Sequence, residues 1–315
     1  ALTSLNCGSN QLTSLDVSNN TALTWLWCYN NQLTSLDLSN NTNLTDLTCY
    51  NNQLIHLNMK NGVTDQLVGF NATGNSFDCI EVNEEDVDWA TENWTYENGT
   101  IDEGVGFSVV CTPEGYTYVP DNNFEQALID LGYDYVLNDF VVTDSISAVT
   151  NLDVDGKEIS DLTGIEVFTS LTYLYCGQNA LTDLDVSSNT ALTYLSFSSN
   201  ELTTIDVSNN TLLMELISDG NELTSLDVSS NTALTGLSCN SNQLTSLDVS
   251  SNTALTNLYC YNNQLTYLNM RNAVTNQLTT FNANSNPNLT CIETLDPDYA
   301  TANWTSANEN IDAGV

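Results

Sequence analysis

The sequence predicts a solenoid: parallel β-sheets stacked as a right-handed coil, with little helix. Three observations carry that expectation. A near-identical unit recurs along most of the 315 residues. Its apolar residues are spaced for extended chain, and glycine and proline helix-boundary signals are absent from its common pattern. One unit alone has too little apolar surface to fold, so the copies must stack.

The copy at residues 12 to 32 reads LTSLDVSNNTALTWLWCYNNQ. Units open at Leu2, Leu23 and Leu44, 21 residues apart, and at Leu67 after 23. A second series opens at Leu171, Leu192, Leu213, Leu234 and Leu255, again 21 apart, with Leu278 after 23. Within a unit the order is L-x-x-L-x-C-x-x-N-x-L, as in Leu23, Leu26, Cys28, Asn31 and Leu33. This is the leucine-rich-repeat pattern, in which each unit adds one strand to a parallel sheet. Every unit keeps the asparagine: Asn10, Asn31, Asn52, Asn75, Asn179, Asn200, Asn221, Asn242, Asn263 and Asn286. Its amide both donates and accepts, so stacked copies can satisfy backbone groups where the chain turns. The second half of the unit, Leu12-x-x-Leu15-x-Val17, repeats the apolar spacing of the first, so each coil should carry two extended faces. Burial of each inward side chain is worth roughly 1.5–3 kcal/mol.

The breaks in the pattern mark the caps. Residues 112–170 interrupt it, and VPDNNFEQALIDLGYD reads as a helix capped near Asp121 and stopped at Gly132. Matched tails follow each series, CIEVNEEDVDWATENWTYENGTIDEGV and CIETLDPDYATANWTSANENIDAGV. The predicted organisation is a module at 1–111 that lacks its N-cap and has a C-terminal cap at 79–111. A second module at 112–315 has an N-cap at 112–170, repeats at 171–290 and a truncated C-cap at 291–315. Helix is expected only near 122–131, 85–92 and 297–302. The opening ALTSLNC reads as the middle of a repeat, which points to a piece of a longer chain whose other modules are neighbours of these.

Composition narrows the partners. Forty acidic residues face three basic ones, a net charge of −37. Nothing is available to neutralise phosphates, which excludes nucleic acid and opposes docking on anionic membranes. No apolar run reaches the roughly 18–20 residues of a membrane span.

The coils resemble the 21-residue class of bacterial leucine-rich repeats, distant relatives of the internalins. ISDLTGIEVFTSLTYL at 159–174 is internalin-like, and the YVPDNNFEQALIDLGYD cap with LTSLDVSNNTALT coils resembles secreted surface proteins of Bacteroidetes. The resemblance implies export to the bacterial cell surface, often by the type IX route, and a role in adhesion or recognition. It brings no catalytic residues with it.

The residues agree on that last point. His56, the single histidine, falls on the outward side of the second face, where a solvated side chain is expected, and no catalytic set assembles around it. Cys7, Cys28, Cys49, Cys176, Cys239 and Cys260 share an inward position and read as small buried thiols. Asp16, Asp37, Asp185, Asp206, Asp227 and Asp248 form an outward column. Two carboxylates about 5 Å apart in water repel by only about 0.8 kcal/mol, so the column stands without metal, with bridging Ca²⁺ as the alternative. DVDGKE at 153–158 is a partial Ca²⁺-loop match without the full ligand series. Asp144-Ser145-Ile146 matches a short O-glycosylation motif, making Ser145 a candidate. Cys79 and Cys111 lie outside the columns and bracket the first tail, so a Cys79–Cys111 disulfide is expected, and Cys291 is left unpaired. Ser218 at the cysteine position, Ile217 outward and Gly220 next to them predict a local irregularity or a covered Ile217.

The outward positions of the first strand carry the binding expectation. Trp25, Trp27, Tyr29 and Tyr50 cluster in two adjacent coils, Tyr173, Tyr175 and Tyr194 at one end of the second series, and Tyr259 and Tyr261 near the other. Exposed aromatics with polar tips are enriched at binding surfaces. The expected function is extracellular recognition or adhesion, with these patches contacting protein or glycan. The alternative is a stiff spacer within a long surface adhesin, the aromatics merely bracing the sheet.

Overall fold

The structure, a computed structural model, describes residues 1–315. It is a leucine-rich-repeat solenoid of parallel strands with little helix, in two compact units, Ala1–Cys111 and Thr112–Val315. In the first unit, Ser4–Asn6, Trp25–Trp27, Asp46–Thr48 and Gly69–Asn71 form a four-stranded parallel sheet. Register is kept by stacking Leu5 on Leu26, Leu47 and Phe70. In the second unit, seven parallel strands run from Asn151–Asp153 to Thr280–Asn282 with Leu152, Leu174, Leu195, Leu216, Leu237, Leu258 and Phe281 in one column. The inward leucines are fully buried, as in Leu23, Leu26, Leu33, Leu36 and Leu38 of one coil.

Each coil turns its first corner at a residue with positive φ, immediately before the repeated asparagine: Ser9, Asn30, Asn51, Gly74, Gln178, Ser199, Gly220, Ser241, Asn262 and Ser285. Gly220 therefore sits where every coil needs a left-handed residue, and glycine meets that need without strain. The coil expected to be irregular is regular. Glu215–Ile217 pairs in register on both sides and Ile217 is half-covered. Ser218 replaces cysteine because its hydroxyl donates to the Ser238 carbonyl at 3.1 Å, as the Cys176 and Cys239 thiols donate to Ser196 and Tyr259 carbonyls.

The asparagine ladder is continuous. Asn200 Nδ2 donates to the Cys176 and Phe197 carbonyls at 3.0 and 2.9 Å, while its Oδ1 accepts the Leu181 N–H at 3.0 Å. Cys176 O also receives Asn179 Nδ2, and Phe197 O also receives Asn221 Nδ2, so each carbonyl is shared by two asparagines. A second column, unremarked in the sequence because it lies inside the SNNT and SSNT turns, consists of Asn41, Asn189, Asn210, Asn231 and Asn252, all fully buried. Each donates twice to the preceding coil, and each Oδ1 lacks a partner.

The second face departs from expectation. It forms strands only at Ser35–Asp37, His56–Asn58, Cys79–Glu81 and Gly106–Ser108 in the first unit, and at Ser246–Asp248, Tyr267–Met270 and Ile292–Thr294 in the second. Where Asp stacks on Asp, as in Asp185, Asp206, Asp227 and Asp248, no ladder forms between the coils. It forms where the next coil carries Asn instead, Asn58 over Asp37 and Asn269 over Asp248, with Asn269 Nδ2 donating to Asp248 Oδ2 at 3.0 Å. Like charges directly opposite weaken a strand pair; an amide over a carboxylate does not.

Helix is confined to the irregular segments. Asn122–Asp130 is capped by Asp121, whose Oδ1 accepts the Asn123 and Phe124 N–H groups, and the chain leaves it through Gly132 at φ +82°. Val87–Asn93 and Pro297–Asn303 occupy the two tails. Thr143–Ile146 adds one unexpected turn, placed by the antiparallel pair Tyr116–Tyr118 and Phe140–Val142 just before it.

Candidate binding face

The first sheet's strands are three residues long, so each presents two outward side chains around one inward leucine. In the first unit the outward neighbours of Leu26 are Trp25 and Trp27, whose rings meet at 4.8 Å and 41°. Trp27 Nε1 donates to Asp46 Oδ1 of the next coil at 2.7 Å, leaving the Trp27 ring 37% exposed. Beyond the inward cysteines, Tyr29 and Tyr50 stack at 5.0 Å and 10°. Glycines fix this arrangement. A Cβ at Gly8 would lie 2.6 Å from the Tyr29 ring, and one at Gly69 would strike the Asp46 carboxylate. Tyr29 and Asp46 thus rest on the glycines of the adjoining coils, and ring positions are set without cost to the leucine core.

In the second unit Tyr194 lies 4.7 Å from Tyr175 and 6.0 Å from Tyr173, which is 43% exposed. Burial, with Tyr175, Glu215 and Asp155 nearby, raises the Tyr194 hydroxyl above its ordinary pKa. Tyr259 and Tyr261 are half-buried at the other end of the sheet, the Tyr261 N–H bonded to Asn240 Oδ1 at 3.0 Å. Between the tyrosine groups lies a polar stretch that sequence reasoning passed over. Asp219 accepts the Ser238 hydroxyl at 2.7 and 2.9 Å and the Asn240 N–H at 2.9 Å. Glu215 lies across Gly236. These residues share the outward columns of the tyrosines, and that shared column was the available signal.

The other candidates are engaged locally. The column carboxylates turn back on their own chain: Asp16, Asp37, Asp185, Asp206, Asp227 and Asp248 each accept the N–H of the serine two residues on, at 2.8 to 2.9 Å. Serine hydrogen bonds hold Asp16, Asp185, Asp206 and Asp227 below the usual carboxylate range. No three acidic, histidine or cysteine side chains converge as a metal cluster. In DVDGKE, Asp153 accepts the Asp155 N–H and Asp155 the Gly177 N–H, so both face backbone donors. Ser145 is half-buried in the Thr143–Ile146 turn. Burial pushes the Cys28 and Cys260 thiols up to about 12, which leaves them inert at neutral pH.

His56 is not the freely solvated side chain expected. Its Nε2 lies 3.6 Å from Glu81 Oε2, and Lys60 Nζ reaches the same oxygen at 3.4 Å. Glu81 is buried and its Oε1 accepts the Cys111 N–H at 3.1 Å. The Glu81 interaction raises His56. Burial alone would raise Glu81, but His56, the Cys111 N–H and Lys60 together lower it. Cys111 is disulfide-bonded to Cys79 with Cα atoms 5.6 Å apart. Cys291 is a free, exposed thiol.

The fold is a leucine-rich-repeat solenoid with aromatic clusters on the outward side of its first sheets. No family model matches the chain. Among curated proteins it is similar to internalin J of Listeria monocytogenes, 36% identical over 73 residues, a stretch that spans 23% of this chain and 8% of that protein. Among solved structures, the functional domain of InlJ from Listeria monocytogenes, described as including a cysteine ladder, aligns over 93% of this chain and 62% of its own, at 27% identity and TM-score 0.41. The internalin InlF aligns over 96% and 84%, at 19% identity and TM-score 0.41. A leucine-rich-repeat protein of Leptospira interrogans covers 92% and 71%, at 19% identity and TM-score 0.39. No helix is long and apolar enough to cross a membrane.

Proposed function

We propose that this chain is an extracellular recognition and adhesion module of a bacterial surface protein, binding protein or glycan through the outward aromatics of its first sheets. The observation that carries the reading is the Trp25–Trp27–Tyr29–Tyr50 patch. Its rings are oriented by Asp46 and by glycines on neighbouring coils, yet none of them fills the core. Large rings held rigidly at a surface bind with little further ordering cost. The tyrosines of the second unit, Tyr173, Tyr175, Tyr194, Tyr259 and Tyr261, form separate contact areas. The similarity to internalin J, a disulfide suited to an oxidising compartment and the strongly acidic surface support placement outside the cell.

One observation favours the spacer alternative. The Tyr175–Tyr194 and Tyr29–Tyr50 contacts brace neighbouring coils, and such aromatic pairs are worth about 0.5–1.5 kcal/mol each. A glycan array and a surface-protein pull-down with the native chain and the Trp25→Ala/Trp27→Ala variant separate the two. Recognition requires a ligand whose binding falls at least about tenfold in the variant at unchanged Tm. A lowered Tm with no ligand for either form supports the spacer.

A further inference from the structure

The first sheet of the second unit carries a pattern that runs across its coils. Its strands pair in continuous register, so outward residues stand in columns. Asn151, Tyr173, Tyr194, Glu215 and Gly236 form one, and Asp153, Tyr175, Ser196, Ile217 and Ser238 the next. Two residues further along each coil, Asp155, Gly177, Ser198 and Asp219 form a third. The chemistry therefore changes from coil to coil. Asp153 and Asp155 come first, then the rings of Tyr173, Tyr175 and Tyr194, then Glu215 and Asp219 with the half-covered Ile217 between them. These coils lie inside the unit, with the cap helix Asn122–Asp130 before them and the strands Gly236–Ser238, Asn257–Tyr259 and Thr280–Asn282 after them.

The carboxylates of this face rest on neutral donors. Asp153 accepts the Asp155 N–H at 3.1 Å, Asp155 the Gly177 N–H, Glu215 the Thr235 hydroxyl at 3.2 Å, and Asp219 the Ser238 hydroxyl and the Asn240 N–H. The ion pairs of the chain, from His56 and Lys60, both end on Glu81 in the first unit, and Lys157 makes none. Burial raises Asp155 above the usual carboxylate range against the Gly177 hydrogen bond, and Asp153 adds to the rise. Burial, then Tyr175, Glu215 and Asp155, raise Tyr194. Both shifts mark a face on which negative charge is unfavourable until a cation arrives.

We propose that this face holds an extended, arginine-bearing segment of a partner protein, laid across the coils with one guanidinium at each acidic row and an apolar side chain over the tyrosines. The inference rests on the recognition reading given above and names the partner chemistry of the second unit. Neighbouring strands are about 4.8 Å apart, so the rows of Asp153 and Glu215 are about 14 Å apart. An extended chain advances about 3.3 Å per residue and puts alternate side chains on one face, so residues i and i+4 span about 13 Å with i+2 between them. Arginine suits both neighbours, because its fork pairs with a carboxylate and its plane stacks on aromatic rings. Charge complementarity selects this occupant: a net charge of −37 draws in a basic segment and repels sulfated or sialylated glycans.

The probe is the peptide GSRSLSRSG, with an N-terminal dye and an amidated C-terminus, titrated with the whole chain by fluorescence anisotropy at physiological ionic strength. It should bind about tenfold more tightly, or better, than its isomer GSRRSLSSG, which has the same charge but cannot reach both acidic rows. Asp153→Asn/Glu215→Gln, which keeps shape and hydrogen bonding, should weaken binding about tenfold or more. Asp206→Asn/Asp227→Asn removes the same charge from the second face and should change binding less than about twofold. Equal affinity for the two peptides, equal losses in the two carboxylate variants, or no binding of GSRSLSRSG overturns the proposal. The recognition reading is scored separately with Tyr175→Ala/Tyr194→Ala on the glycan array and in the pull-down. A neutral glycan or a protein lost by that variant, while GSRSLSRSG binds neither form, removes the arginine segment and leaves the recognition reading standing.

Discussion

Asn200→Ala tests whether the first asparagine ladder, and not the leucine stack alone, holds the coils together. The substitution removes three hydrogen bonds, two from Nδ2 and one to Oδ1. The two carbonyls it leaves, on Cys176 and Phe197, keep a second asparagine each, so each loss costs only about 0.5–1 kcal/mol. The Leu181 N–H is buried and loses its acceptor outright, at about 1–3 kcal/mol. The sum is about 2–5 kcal/mol. Asn231→Ala in the second column is the internal control. It removes two donations, to Val207 O and Asn210 O, but those carbonyls also accept the N–H groups of Asn210 and Leu213, and the substitution eliminates a buried oxygen that had no partner. Its cost should be near 0–1 kcal/mol. Both sites are buried, so the cavity left by the lost amide largely cancels in the comparison. Urea unfolding of the whole chain followed by circular dichroism gives both values from midpoint shifts at a common slope. An Asn231→Ala cost equal to or above that of Asn200→Ala would refute the ladder argument.

Three further outcomes follow from local chemistry. Cys79→Ser/Cys111→Ser should lower stability of the first unit by about 3–4 kcal/mol in the chain-entropy model, read as loss of protease resistance confined to residues 1–111. His56→Gln should destabilise the first unit at pH 5 by under about 1 kcal/mol, because the His56 side of the pair is exposed and screened, and should leave pH 9 unchanged. The sign follows from the raised His56 pKa: its contribution is complete below the unfolded value near 6.5 and disappears as pH rises through the higher folded value, whereas the lowered Glu81 contributes above its unfolded value and is lost on acidification. Millimolar Ca²⁺ should raise Tm no more than NaCl of matched ionic strength, because the Asp column is already bonded to serine N–H groups; a larger Ca²⁺ shift would revive bridging between coils.

The leucine period alone determined the parallel register, the inward cysteines and the corner asparagines. Each coil repeats one local pattern, and stacking is the only way to bury it. The helix Asn122–Asp130 and its Asp121 cap were legible because that segment breaks the period. Other features required neighbours on adjacent coils. Whether the second face ladders depends on which residue lies above each aspartate, Asn269 over Asp248 or Asp over Asp, a pairing 21 residues distant in sequence. The Trp27–Asp46 bond, the Tyr29 ring over Gly8 and the Asp219–Ser238–Asn240 cluster are likewise contacts between coils, invisible in any single unit. His56 looked solvated because its partner, Glu81, comes from the cap strand beside it. Side chains at one repeat position are set by the coil above and the coil below. The sequence of one coil states what it offers, and only the stacked structure decides what that offer meets.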